Sequence, residues 1–355
     1  LNVNSGAFSA ASTIKTNGAV SVAGTSINTH GIDAGGAIAL TGPTTLSGAY
    51  ATTNDAFSVT GATTLSGAAT ISTGTGAISF GNTVDGGAAL TTTNTGATSF
   101  SGAVGDSAAL SALTANSGTF SAAALIKTNG AVSVAGNSIN AHGIDAGGAI
   151  ALTGPATLAG TYTTTDNAFS VTGATTLGGA TTISTGTGAI SFGNTVDGGA
   201  ALSTTNTGAT SFSSAVGDSV ALSALTANSG TFSAASTIKT TGATTVSGSS
   251  ITTHGIDAGG AIGFTGPTTL SGAYTTTDDA FSVTGATTLA GATTISTGTG
   301  AISFSDTVNG GAALTTTNTG ATSFSGAVGD SAALSALTAS SGTFSAASTI
   351  KTTGA

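Results

Sequence analysis

With 355 residues, 56 of them Gly, 39% hydrophobic and only 5% charged, the chain is too apolar for a disordered segment and too poor in long side chains for a helical fold. Four Lys against thirteen Asp set the net charge at −9, and no Cys, Met, Trp, Arg, Glu or Gln occurs anywhere. Nothing is present to neutralise a phosphate backbone, so nucleic acid and anionic membrane surfaces are not expected partners, and Thr, Val, Ile and Phe on a Gly/Ala/Ser background point to an all-β chain.

The first element met along the chain is a long repeat. Residues 5–116, 117–228 and 229–340 align without a gap, each copy beginning where the last ends, and a partial fourth copy fills 341–355. Near-identical copies of fixed length imply that each docks on its neighbours in one geometry, so residues 1–355 are expected to form one continuous array. The chain opens at Leu1 and stops at Ala355 inside a copy, with ordinary repeat sequence at both ends, which reads as a window on a longer polypeptide or as units that stack end to end. No run of eighteen apolar residues is present, so membrane insertion is not expected.

Within the first copy a shorter phrase recurs, Gly-Ala-apolar-x-apolar. It appears at Gly18–Val22, Gly36–Leu40, Ala56–Val59, Gly76–Phe80 and Gly96–Phe100, with a looser version ending at Phe120. The closing residues Val22, Leu40, Val59, Phe80, Phe100 and Phe120 follow one another at nearly even steps, each the circumference of a β-solenoid coil. An immunoglobulin-like sandwich as long as one copy would carry one non-repeating core instead. Alternation points Ile78 and Phe80 inward and Ala77 and Ser79 to water. Overlaying the coils that start at Gly76 and Gly96 sets Phe80 on Phe100, Val84 on Val104 and Leu90 on Leu110. The expected core ladder is Phe80, Phe100, Phe120, Phe192, Phe212, Phe232, Phe304, Phe324 and Phe344. The step from Phe120 to Val134 is too short for a coil and leaves open whether a copy holds five coils or six.

The stretches Gly76–Leu90, Thr98–Leu113 and Gly248–Asp257 resemble the repeats of giant bacterial surface proteins of the filamentous-haemagglutinin type. That resemblance spans essentially the whole chain and implies a right-handed parallel β-helix exported to the cell surface or beyond. Members of such families serve as adhesins, toxin-carrying stalks and matrix fibres.

Candidate chemistry is sparse. His30, His142 and His254 each stand in His-Gly-Ile-Asp, but one imidazole and one carboxylate make half a metal site, and successive copies are too far apart to share an ion. Asp85-Gly86-Gly87 and Asp197-Gly198-Gly199 look like the turns of calcium-binding solenoids, yet those turns recur at much shorter spacing, and the third copy reads Asn309-Gly310-Gly311. A carboxylate that caps its own corner fits better. Enzymatic β-helices cluster acids and bases on one face; here Asp falls at turns once per copy, so catalysis and cofactors are not expected. Thr91–Thr93 suggests an ice-binding ladder, but the aligned segment reads Ser111-Ala112-Leu113, and Thr as an exposed strand former is the expected role. Tyr50, Tyr162 and Tyr274, like Pro43, Pro155 and Pro267, simply recur once per copy and mark no adhesive spot. The sequence therefore predicts the shaft of an extracellular bacterial filament or matrix fibre whose partners are further copies of itself, end to end and in lateral bundles. The alternative is an adhesin stalk or a surface that binds glycans or host proteins.

Overall fold

A computed structural model of the chain describes residues 1–354; among these every regular element is a β-strand and none is a helix. The chain divides into two compact units, Leu1–Gly173 and Ala174–Ala355, with the division inside the second copy of the repeat. Each unit is a parallel β-solenoid in which each strand is stacked on a strand about one coil earlier in sequence.

Gly and short polar runs cut each coil into three strand segments, so each unit has three walls. In the first unit, one wall stacks Val20, Ile38, Phe57, Ile78, Thr98, Phe120, Ile139 and Ala156 in register. A second stacks Phe8, Ile27, Thr44, Thr63, Val84, Val104, Ile126, Ile144 and Tyr162. The third stacks Ile14, Ile32, Tyr50, Ile71, Thr92, Ala115, Val134, Leu152 and Val171. Strand alternation then decides what is buried: Ile78 and Phe80 are buried while Ala77 is exposed and Ser79 half-buried.

The Phe ladder is present with one shift of register. Phe80 and Phe100 are Cα partners with rings stacked 5.1 Å apart and 2° from parallel. Phe120, however, pairs with Thr98, and Phe100 pairs with Ala122, so the third ring meets the second only at a tilt, 5.9 Å away. In the second unit, Phe192 and Phe212 stack at 5.1 Å, with Phe232 tilted 5.8 Å beyond; Phe304 and Phe324 stack at 5.2 Å, with Phe344 tilted 5.9 Å beyond. Eight of the nine rings are buried. Phe344 is 46% exposed, because no described strand stacks on Thr343–Ala346 from its far side.

The even coil length expected from the sequence does not hold throughout. Leu90 stacks on Leu113, not Leu110, and Leu110 bridges to Thr128. The physical reason is a corner that swells: after Val104 the chain turns at Gly105, with φ of 74°, and runs out through Asp106 to Ala109 before rejoining the wall. A Cβ on Gly105 would stand 2.2 Å from the Lys127 carbonyl oxygen, so only glycine makes that turn. Coils therefore range from the short step between Ile139 and Ala156 to the long one between Leu90 and Leu113, with the surplus absorbed at corners.

The number of coils per copy is neither five nor six. Val20 and its equivalent one copy later, Val132, lie on different walls: Val20 belongs to the first, whereas Val132 stacks on Leu113 in the third. Likewise Ile27 of the second wall becomes Ile139 of the first, and Tyr50 of the third becomes Tyr162 of the second. Between Val20 and Val132 the chain lays down seventeen wall segments, which is five and two-thirds coils. The short step from Phe120 to Val134 is the two-thirds of a coil that made both whole-number counts fail.

Threonine also enters the core. Thr92, Thr204 and Thr316 are completely buried, and their hydroxyls, with those of Thr63, Thr175 and Thr287, have no hydrogen-bond partner. A buried hydroxyl without a partner loses its hydration and gains nothing. Replacing Thr92, Thr204 and Thr316 by Val is expected to raise stability by about 1 kcal/mol per site in thermal or denaturant unfolding followed by circular dichroism. Phe100→Ala should instead cost about 3–5 kcal/mol and weaken amide-exchange protection in adjacent coils more than in distant ones.

Candidate functional site

The walls are made of small outward side chains, so any site must lie at the corners, where polar groups gather. At the corner after the third wall, Asn94 is buried; its Nδ2 donates to the carbonyls of Gly76 (2.9 Å) and Ala97 (3.0 Å), and its Oδ1 accepts from Thr98 Oγ1 (2.9 Å). Asn206 and Asn318 repeat the arrangement with the same partners at the equivalent positions. Each Asn closes its own turn and has its amide fully occupied.

Beside Asn94 lies a shallow depression of about 190 Å³ lined by Ser72, Gly74, Thr93, Asn94, Thr95 and Asn116. Ser72, Thr93 and Asn116 are successive rungs on the outside of the third wall, and Thr70, Thr91 and Thr114 form a second column beside them. The swollen corner thus aligns Thr91 with Thr114, not with Ser111, and it is Thr92 that points inward. Hydroxyl ladders therefore exist, but Ser72, Asn116 and Ser133 interrupt the threonines. The depression is smaller than the ~300 Å³ at which ordinary ligand pockets begin.

The second corner holds the carboxylates. Asp85 Oδ1 accepts from the backbone N–H of Ser107 (2.8 Å) and Ala108 (3.3 Å), pinning the swollen loop of the next coil. Asp197 does the same for Ser219 and Val220, and Asn309 for Ser331 and Ala332. Because Asn serves in the third copy, the corner uses the oxygen as an acceptor and does not use the charge. Lys127 Nζ lies 2.8 Å from Asp106 Oδ1, and Asp145 is the next rung under Lys127. The hydrogen bond to Asp106, followed by its negative charge, holds the Lys127 ammonium above its ordinary value, and Asp218 does the same for Lys239. The Lys15–Asp33 pair, 3.6 Å apart and largely exposed, contributes little.

The histidines stay at corners, and each finds a separate local partner. His30 Nδ1 is 2.9 Å from Ser47 Oγ; His142 and His254 contact the carbonyls of Ala122 (3.1 Å) and Ala234 (2.9 Å). Among the described residues no three His, Cys, Asp or Glu side chains come together as a metal site would require, and no helix is long and apolar enough to cross a membrane.

The tyrosines were the residues whose role the sequence hid. Tyr50, Tyr162 and Tyr274 are wholly buried. Tyr50 Oη donates to the Thr29 carbonyl (2.8 Å) and lies 2.9 Å from Thr29 Oγ1, beside the register shift between His30 and Ile32. Tyr162 Oη donates to the Ala141 carbonyl at 2.6 Å and Tyr274 Oη to the Thr253 carbonyl at 3.0 Å. A buried phenol needs such a partner, and the separation of one coil between each Tyr and its acceptor was the available signal. With these rings and nearly all Phe rings inside, Phe344 is the exposed large aromatic among the described residues.

Comparison with family models, with curated proteins and with solved structures finds no match to the chain.

Two outcomes follow from this geometry. Burial raises the ionisation of all three tyrosines above the ordinary 10.0, so the folded chain keeps them neutral while the unfolded chain releases protons above pH 10. Stability should be unaffected by tyrosine below pH 10 and fall as pH rises beyond it. Near-ultraviolet absorbance should show the phenolates forming together with loss of β-signal; a separate tyrosine titration in the folded state would contradict the burial. At the Asp85 corner, Asp85→Ala should lower the melting temperature and Asp85→Asn should leave it nearly unchanged. A calcium-dependent rise in the wild type would contradict a capping role.

Proposed function

We propose that this chain is the structural shaft of an extracellular bacterial filament or matrix fibre, acting by length and stiffness and not by chemistry. The observation that carries the reading is where the polar groups go. Asn94, Asp85, Tyr50 and their copies spend their hydrogen bonds on holding one coil to the next or closing a turn. What remains outside is a coat of Ser, Thr, Ala and Asn, with exposed Lys–Asp pairs. Filamentous-haemagglutinin-type surface proteins, which the repeats resemble, supply the bacterial and extracellular part of the proposal. Partners of the shaft would be further copies of the same repeat, joined end to end, with lateral bundling between neutral faces.

A second reading has one observation in its favour. The depression at Ser72, Thr93 and Asn116 offers hydroxyl and amide groups to a neutral glycan, as an adhesin would. Against it stands the burial of the aromatic rings on which sugars commonly stack.

Negative-stain micrographs of the purified protein separate the two. A shaft should appear as narrow rods, and oriented specimens should give the ~4.8 Å axial spacing of stacked strands. The chain should also show no retention on a panel of immobilised neutral and acidic glycans. Compact particles would refute the shaft, and saturable glycan retention lost on Thr93→Val would favour the adhesive reading.

A further inference from the structure

A repeat of five and two-thirds coils changes which way the array faces anything that meets it. We infer that the long repeat acts as a rotary spacer: each copy turns the walls by one-third of a revolution, so adding or removing one copy re-aims everything C-terminal to it, and three copies restore the direction.

Each unit shows the step by itself. In the first, Lys15 and Asp33 lie on the third wall, and their equivalents Lys127 and Asp145 lie on the second. In the second unit, Val196 shares a wall with Val216, Ile238, Ile256 and Tyr274, whereas its equivalent Val308 shares one with Thr268, Thr287 and Val328. Phe212 pairs with Ala234 on that same second column, while its equivalent Phe324 stacks above Val283 and Phe304 on the remaining one. The cause is arithmetic in the fold. Seventeen wall segments are not divisible by three walls, so a copy ends two walls on from where it began. At ~4.8 Å per rung a copy advances about 27 Å, and three copies make seventeen whole coils, about 82 Å.

A feature that occurs once per copy is therefore presented in three directions in succession. The Lys–Asp pairs, the carboxylate corner and the hydroxyl-lined depression would all wind around the array, so that a partner approaching from any side meets one within three copies. A whole-number repeat would have placed every copy of each feature on a single side. The inference rests on the strand register and does not depend on the shaft reading.

The absence of cysteine makes it testable with two engineered thiols. Thr93→Cys and Thr317→Cys, exposed and two copies apart, carry small gold clusters in three chains: the native array, one lacking residues 117–228, and one in which 117–228 is duplicated. Every junction in these chains reproduces one already present, because Asn116 and Asn228 are both followed by Ser. Single-particle cryo-electron microscopy should place the two clusters on the same side only in the duplicated chain, about 82 Å apart, and a third of a turn apart in opposite senses in the other two. Clusters on one side in all three chains, or an angle that does not change with copy number, would overturn the inference. So would loss of the β-signal in the shortened chain by circular dichroism, since the copies would then not be interchangeable. A glycan-binding result in either direction leaves this angle untouched, so the two proposals fail separately.

Discussion

Parallel strands stacked in register, coil upon coil at about 4.8 Å, are the constraint to which the rest of this structure answers. Each new coil is held by backbone hydrogen bonds to the one before it and must set apolar side chains over the apolar side chains already there. A single residue inserted within a wall would turn its whole inner row outward. Length variation is therefore confined to corners, and the long step from Leu90 to Leu113 takes up its surplus in the loop from Gly105 to Ala109. That loop would be a loose end without a partner. Asp85 ties down its backbone from the preceding coil, which is why the acceptor is kept while its charge is not.

Much of this was legible in the sequence, for a physical reason. Where strands are short and flanked by Gly-Ala, period-two alternation marks the inner residues, and Ile78, Phe80 and Phe100 could be placed directly. Spacing alone failed wherever a corner changed length. Counting one average coil from Leu90 reaches Leu110, a buried leucine that belongs to the corner and bridges to Thr128. The same miscount disguised the pairing of Thr91 with Thr114, and it made Thr92 look like a surface residue when it is a core one. Threonine carries no reliable address in such a chain. Its methyl suits the inside and its hydroxyl the outside, and only register decides between them.

The candidate chemistry was legible mainly as a shortage. The histidines and carboxylates are too dispersed to act together, and the structure adds that those best placed are already engaged: Asp85 with two N–H groups, His30 with Ser47, Asp106 with Lys127. Tyrosine was opaque because its residue type fits either a sticky exposed platform or a buried strut. One coil of separation from the Thr29 carbonyl makes it the strut. Burying the ring also withdraws it from any ligand, so one packing decision both stabilises the corner and empties the surface.

The fractional repeat is best understood by asking which force could favour it. Asp33 and its equivalent Asp145 stand on different walls, separated by about 27 Å along the axis. At physiological ionic strength charges are screened over ~8 Å, so repulsion between successive copies would be negligible on the same wall as well. Electrostatics therefore does not choose between five, six and five and two-thirds coils. Steric irregularity does distinguish them. A swollen corner such as Gly105–Ala109 distorts the coils on its own side, and a distortion that returned on the same wall with every copy would add up to a steady bend. Distributed over three walls, its contributions point in three directions and cancel every third copy. A repeat that ends two walls on can thus tolerate its corner loop indefinitely, whereas a whole-number repeat of the same composition would have to remove it.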